Sequence, residues 1–153
     1  MLRFMMRRNA LQPSGSSGHD ALVSVRDGHV ARPPAASLLD LAFEEVAPGR
    51  TVLGFRPSRR FADGATIPGG VLAGVAGYAM TTAVRTTVLA ATDVVTVALS
   101  VEQLHPVAVD SGPLRCEGVV VDGMQARATL VDGTGRVVLR AEATCRVVPA
   151  TAA

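Results

Sequence analysis

The stretch Pro68-Gly-Gly-Val-Leu-Ala-Gly-Val-Ala-Gly-Tyr-Ala-Met-Thr-Thr-Ala-Val-Arg-Thr-Thr-Val-Leu89 decides how this chain folds. From Gly69 to Leu89 only Arg85 is charged, so a helix here is apolar on nearly every face. That pattern belongs to a helix wrapped by other elements or set in a membrane. Thr81, Thr82, Thr86 and Thr87 crowd its second half beside Arg85, its flanks read as strands, and no second apolar segment could pair with it. The reading is a buried central helix with no membrane association.

Downstream, the period changes from helical to two. Apolar residues alternate over 94–104, 112–121, 124–131 and 136–148, with Asp122-Gly123 and Asp132-Gly-Thr-Gly135 between the last three runs. Asp-Gly between alternating runs marks a hairpin, so these four strands form an antiparallel meander. Upstream, Pro33-Pro34 opens a short helix ending near Leu41, because the fixed φ and missing N–H of proline are free of cost in a first turn. Two short strands follow, over 42–47 and 50–57, joined by the turn dipeptide Pro48-Gly49. The order is helix, two strands, a long apolar helix and four strands: an α+β chain whose sheet must curve strongly to enclose that helix.

The remaining sequence bounds the function. With 153 residues, 48% hydrophobic and 18% charged, there is room for one domain, placed at 33–148, with a C-terminal tail over 149–153. All 15 basic residues are Arg, and the net charge is only +2. The excess sits in residues 1–32, where Arg3, Arg7, Arg8, Arg26 and Arg32 face Asp20 and Asp27. That segment reads as a disordered basic tail, since no long apolar run follows Met1-Leu-Arg-Phe-Met-Met-Arg-Arg before the Ser/Gly-rich 12–18. A cytoplasmic location follows. With 3% aromatic residues and no Trp, stacking platforms for nucleic acid are absent. Cys116 and Cys145, with His19, His29 and His105 scattered, form no cluster for a metal, and no cofactor is expected.

The run from Phe61 to Met80, followed by Val97-Ala-Leu-Ser-Val-Glu-Gln-Leu-His-Pro106 and Gly112-Pro-Leu-Arg115, resembles the hotdog-fold acyl-CoA thioesterases of the phenylacetate-pathway (PaaI-like) type. The resemblance spans about 33–148. It implies a curved antiparallel sheet around the central helix, assembly into a homodimer or a tetramer, and an acyl-CoA or related acyl thioester as substrate. Members usually carry His-Gly-Gly at the helix start, a carboxylate nine residues after that His, a Ser or Thr four further on, and Asn or Gln six before the His. Here those positions hold Pro68, Gly77, Thr81 and Ala62. The glycine pair and the hydroxyl are kept; the water-activating side chains are not.

Thioester hydrolysis needs charge stabilisation at the carbonyl oxygen, worth about 3 to 4 kcal/mol per donor. Gly69 and Gly70 can supply it, because a helix starting there leaves its first amides unpaired and the missing Cβ lets a substrate approach the main chain. It also needs a base, worth roughly 10² to 10⁴ in rate, yet no Asp, Glu or His lies between Asp63 and Asp93. Asp63, in the loop before the helix, is the first candidate for a displaced base, and Glu102 the second. Thr81 can only position water or a carbonyl. Gly77 leaves space for an acyl group, with Pro68 and Tyr78 beside it as substrate-binding candidates. Arg59, Arg60 and Arg115 are candidate partners for coenzyme A phosphates. Two functions stand: a thioesterase, weakened by the lost His and carboxylate, and a non-catalytic protein that binds an acyl thioester or other hydrophobic ligand.

Overall fold

A computed structural model describes residues 16–150. In chain order it contains α1 (Gly18–Arg26), α2 (Pro34–Leu38), β1 (Ala42–Ala47), β2 (Arg50–Phe55), a 3-10 turn (Arg59–Phe61), α3 (Gly69–Arg85), β3 (Thr92–Gln103), β4 (Leu114–Asp122), β5 (Gln125–Val131) and β6 (Val137–Pro149). The strands make one antiparallel sheet in the order β1-β2-β4-β5-β6-β3. The chain therefore crosses the sheet through α3 and returns as β3 on the edge opposite β1.

The helix can lie close to the sheet because the strands beneath it carry small side chains. Residues opposite one another in an antiparallel pair share a face, which puts Thr51, Gly118, Ala128 and Ala141 in one inward row and Ala126 and Ala143 in the next. Gly118 takes the closest approach: a Cβ there would lie 2.2 Å from the Ala79 carbonyl oxygen. Beside it the Thr51 hydroxyl donates to that same carbonyl at 2.9 Å and pairs with Thr82 Oγ1 at 3.0 Å. The buried face of α3 (Leu72, Val75, Ala76, Ala79, Met80, Ala83 and Val84) fills the hollow with Leu53, Phe55, Leu114, Leu130 and Leu139.

The sheet's outer face is held by charge. Arg50 bonds Glu45 and Glu117, and Arg115 bonds Glu44 and Glu45. Val52, which shares its register row with Glu45 and Glu117, is only 2% exposed under this lattice. Arg115 thus pairs with carboxylates on the face away from α3. Two hairpin turns use the left-handed region as their sequences demand, with Gly123 at φ 52° and Gly135 at φ 85°.

One expectation is corrected. Residues 1–15 of the basic N-terminal segment lie outside the described residues, but its second half forms α1 and packs on the domain. The Ser17 side chain caps this helix by accepting from Asp20 N at 3.1 Å. Gly18 N donates to Val88 O at 2.7 Å, and a Cβ on Gly18 would fall 2.0 Å from the Arg85 carbonyl oxygen. Leu22 is buried with the main core. Helix α1 therefore closes the C-terminal end of α3, where the Thr86 and Thr87 hydroxyls turn back on the Ala83 and Val84 carbonyls. This is why α3 ends at Arg85 rather than continuing to Leu89. Leu22→Ala should cost about 2 to 4 kcal/mol in urea unfolding. A loss under about 0.5 kcal/mol would show that α1 is not part of the core.

Candidate functional site

The first turn of α3 leaves two backbone donors open. Val71 N and Leu72 N both bond Pro68 O, at 3.0 and 3.3 Å, and no side chain caps the helix. Gly69 N–H and Gly70 N–H have no acceptor among the described residues, and both glycines are exposed. The partial positive charge of a helix N-terminus adds to their pull on a negative oxygen. Pro68 sets this geometry as the N-cap residue (φ −56°, ψ 143°), and Ile67 N, bonded to Val107 O at 2.9 Å, pins the entering loop.

Strand β3 forms the facing wall. Its register with β6 sets Leu99, Val101 and Gln103 opposite the inward residues Ala143, Ala141 and Leu139, so all three point to the α3 side. Leu99 Cδ2 lies 4.0 Å from where a Cβ on Gly77 would stand, and Gln103 Oε1 lies 2.8 Å from the same point on Gly69. Eight helical residues rise about 12 Å and four strand residues about 13 Å, so helix and strand run side by side with matched lengths. On the exposed flank of the helix next to them, Gly70 and Gly74 face open space: a Cβ on either would have nothing within 4 Å. The glycines of α3 and the exposed Leu99 and Val101 of β3 thus border an open surface groove with free donors at one end. Arg85, held by Asp93 at 3.8 Å, stands at the other end of the helix.

The structure brings some expected residues to this groove and not others. Gly69, Gly70 and Gly77 line it. Thr81 lies one turn beyond Gly77, but its hydroxyl donates to the Gly77 and Tyr78 carbonyls, both at 3.1 Å, so it is occupied within its own helix. Tyr78 turns toward β1, meeting Phe43 edge-on with ring centroids 6.3 Å apart, and burial raises its phenol above the ordinary value, slightly offset by Arg85. Its ring therefore lies on the β1 side of α3, away from β3. Asp63 is exposed in a tight turn closed by Asp63 N to Thr66 O at 3.1 Å, and its carboxylate has no partner among the described residues. Glu102 falls opposite Arg140 on the outer face, away from α3. Arg60 donates to the Leu38 carbonyl and covers the Phe61 ring at 4.5 Å, while Arg59 is exposed without an ion-pair partner among the described residues. Gln103 was not among the sequence candidates, although its strand parity with Leu99 and Val101 was there to read.

Neither cysteine serves this site. Cys116 is inward-facing and buried, and desolvation pushes its thiol up to about 12, which holds it in the un-nucleophilic form. Among the described residues no group of three or more His, Cys, Asp or Glu could hold a metal ion, and no helix is long and apolar enough to cross a membrane.

No protein-family model and no curated protein matches the sequence. Solved structures do match. A thioesterase family protein from Silicibacter pomeroyi is 24% identical with a TM-score of 0.72, covering 84% of this chain and 98% of that one. The PaaI protein of the E. coli phenylacetic acid degradation operon is 17% identical with a TM-score of 0.71, covering 89% and 99%. A Haemophilus influenzae thioesterase is 15% identical with a TM-score of 0.67, covering 75% and 82%. At these identities the likeness establishes the fold: a curved six-stranded antiparallel sheet around a central helix, the hotdog fold seen in PaaI-like and other thioesterases.

Proposed function

We propose that this protein binds an acyl-CoA, or a related acyl thioester, with the thioester carbonyl on the Gly69 and Gly70 amides and the acyl group along the glycine floor toward Gly77. The observation that carries this is the pair of unbonded N–H groups at the mouth of a groove whose far wall is apolar. Developing negative charge on the carbonyl oxygen is stabilised there by preorganised donors and the helix terminus. Hydrolysis is slow, because among the described residues no carboxylate or imidazole meets the glycine pair; Asp63, the nearest carboxylate along the chain, is the displaced base to test first. The solved structures that share the fold include several thioesterases, which supports a thioester as ligand.

A second reading, binding without turnover, is favoured by one observation. The Thr81 hydroxyl is spent on its own helix, and no carboxylate or imidazole contacts the glycine pair among the described residues. Free-thiol release from a panel of acyl-CoAs, run beside binding on the same panel, separates the two.

The working unit is a homodimer. Strand β3 is an edge strand with Val95, Val97, Leu99 and Val101 exposed, Val97 at 53%, and an uncovered apolar edge invites another strand. A second copy paired there across a two-fold axis also dries the groove, which strengthens the amide donors. Sedimentation at micromolar concentration should show a dimer or a dimer of dimers, and Val95→Lys with Val97→Lys should shift it to monomer. A wild-type monomer at that concentration would contradict a groove closed by a partner.

A further inference from the structure

We infer that Gln103 is a positioning residue that accepts a hydrogen bond from the amide N–H of the cysteamine unit in the ligand's pantetheine arm; this rests on the acyl-thioester reading above and narrows it. Gln103 is the last residue of β3 and belongs to the inward row with Leu99 and Val101. Its carboxamide is oriented by the fold. Nε2 donates to the His105 carbonyl at 3.2 Å, and the reversed amide would set two acceptor oxygens against each other. Oε1 consequently faces the first turn of α3, 2.8 Å from where a Gly69 Cβ would be. A side chain at 69 would push this oxygen away, so the glycine serves the amide's placement as well as substrate approach.

The mouth of the groove then offers two kinds of group side by side: N–H donors on Gly69 and Gly70, and an uncharged acceptor on Gln103. A ligand that satisfies both carries a carbonyl oxygen and, a short flexible distance away, an N–H donor. In an acyl-S-CH2-CH2-NH-CO thioester the carbonyl and the amide N–H are separated by sulfur and two methylenes, and coenzyme A and acyl carriers share this unit. A thioester without the amide leaves Oε1 unpaired in the closed groove, which costs affinity. A neutral acceptor also fits a neutral donor without the charge that a carboxylate at this place would bring to the developing oxyanion.

The test pairs a change in the ligand with a change in the protein. Dissociation constants, and kcat/KM for thiol release where turnover is measurable, are compared for hexanoyl-S-N-acetylcysteamine and S-butyl hexanethioate, which lacks the amide. The wild type should prefer the amide-bearing compound by roughly 5- to 10-fold. Gln103→Leu should abolish that preference by weakening only the amide-bearing compound, leaving the affinity for S-butyl hexanethioate unchanged. Gln103 is exposed in a single copy of the chain, and the melting temperature and sedimentation of the variant show whether fold and assembly are intact. A wild type that binds both compounds equally, or a Gln103→Leu protein that keeps the preference, overturns the role of Gln103 and leaves the groove's ligand standing. A wild type that binds neither compound overturns the acyl-thioester reading itself.

Discussion

Gly118→Ala should destabilise the protein far more than one added methyl group usually does. The added carbon would lie 2.2 Å from the Ala79 carbonyl oxygen, 2.4 Å from its carbon and 2.9 Å from Met80 N. All three are backbone atoms of α3, so no side chain can swing aside; either the helix lifts from the sheet or β4 bows outward. Lifting the helix would stretch the Thr51 bond to the Ala79 carbonyl and open gaps along the inward rows of alanines. Overpacking usually costs about 1 to 3 kcal/mol where neighbours can adjust. Here they cannot, and a loss of at least about 3 kcal/mol is expected in urea unfolding. Gly133→Ala, in a turn with nothing within 4 Å, is the matched control and should change stability by less than about 0.5 kcal/mol. Equal stability of the two variants would mean that α3 does not sit on β4 as described.

Gly77→Asp should turn a slow or silent site into a working one. The groove holds donors for the oxyanion but no base, and position 77 faces open space bounded by Leu99 at 4.0 Å, so a carboxylate enters without displacing backbone; about 12 Å along α3 from its own Gly69, it serves the carbonyl held on the glycine pair of the second copy in the proposed dimer. A positioned base contributes roughly 10² to 10⁴ in rate; allowing for imperfect placement, thiol release from the best acyl-CoA of a panel should rise by roughly 10- to 1000-fold. Desolvation opposes this, since a carboxylate in a dry groove costs free energy unless it is hydrogen-bonded. Sedimentation and a melting curve on the same sample distinguish the two effects. A folded, dimeric variant with no activity on any thioester would show that the carbonyl does not lie within reach of position 77.

Most of the fold could be read from the chain because the elements announce themselves locally. The Asp-Gly turns place Gly123 and Gly135 where only positive φ closes the hairpin, and the alternation on either side gives β4, β5 and β6 to within a residue or two. Helix α3 was legible from its nearly uninterrupted apolar face, and its start from Pro68-Gly-Gly. What was hidden depends on tertiary contact. Helix α1 carries only Ala21, Leu22, Val23 and Val25 as apolar positions among polar ones, too few for a periodicity, and it is stable because Gly18 lets it meet the end of α3. The capping pair Ser17 and Asp20 was the available signal. The β-bulge between Thr96 and Ala98 changes the phase of β3, so which residues face the helix is fixed only by pairing with β6. That shift places Gln103 beside the glycine pair and Glu102 on the far face. Nothing in the sequence marks Gly118 as a contact with a helix so far upstream.

The site was legible as a set of residue types rather than as an arrangement. Gly69 and Gly70 open α3 with amides that have no acceptor among the described residues. Thr81 does what threonines inside helices usually do, bonding the preceding turn.

Binding of a thioester carbonyl at the N-terminus of α3, beside the glycine floor, is the proposal on which the function rests. Its most direct test is a paired measurement on the wild-type protein: saturable binding of a series of acyl-CoAs by titration calorimetry, with thiol release followed in the same samples. At least one acyl-CoA should bind saturably, binding should weaken when Gly70→Pro removes one of the two donors, and turnover should be slow. Absence of saturable binding across the series, or binding that Gly70→Pro leaves unchanged in a folded dimer, would contradict it.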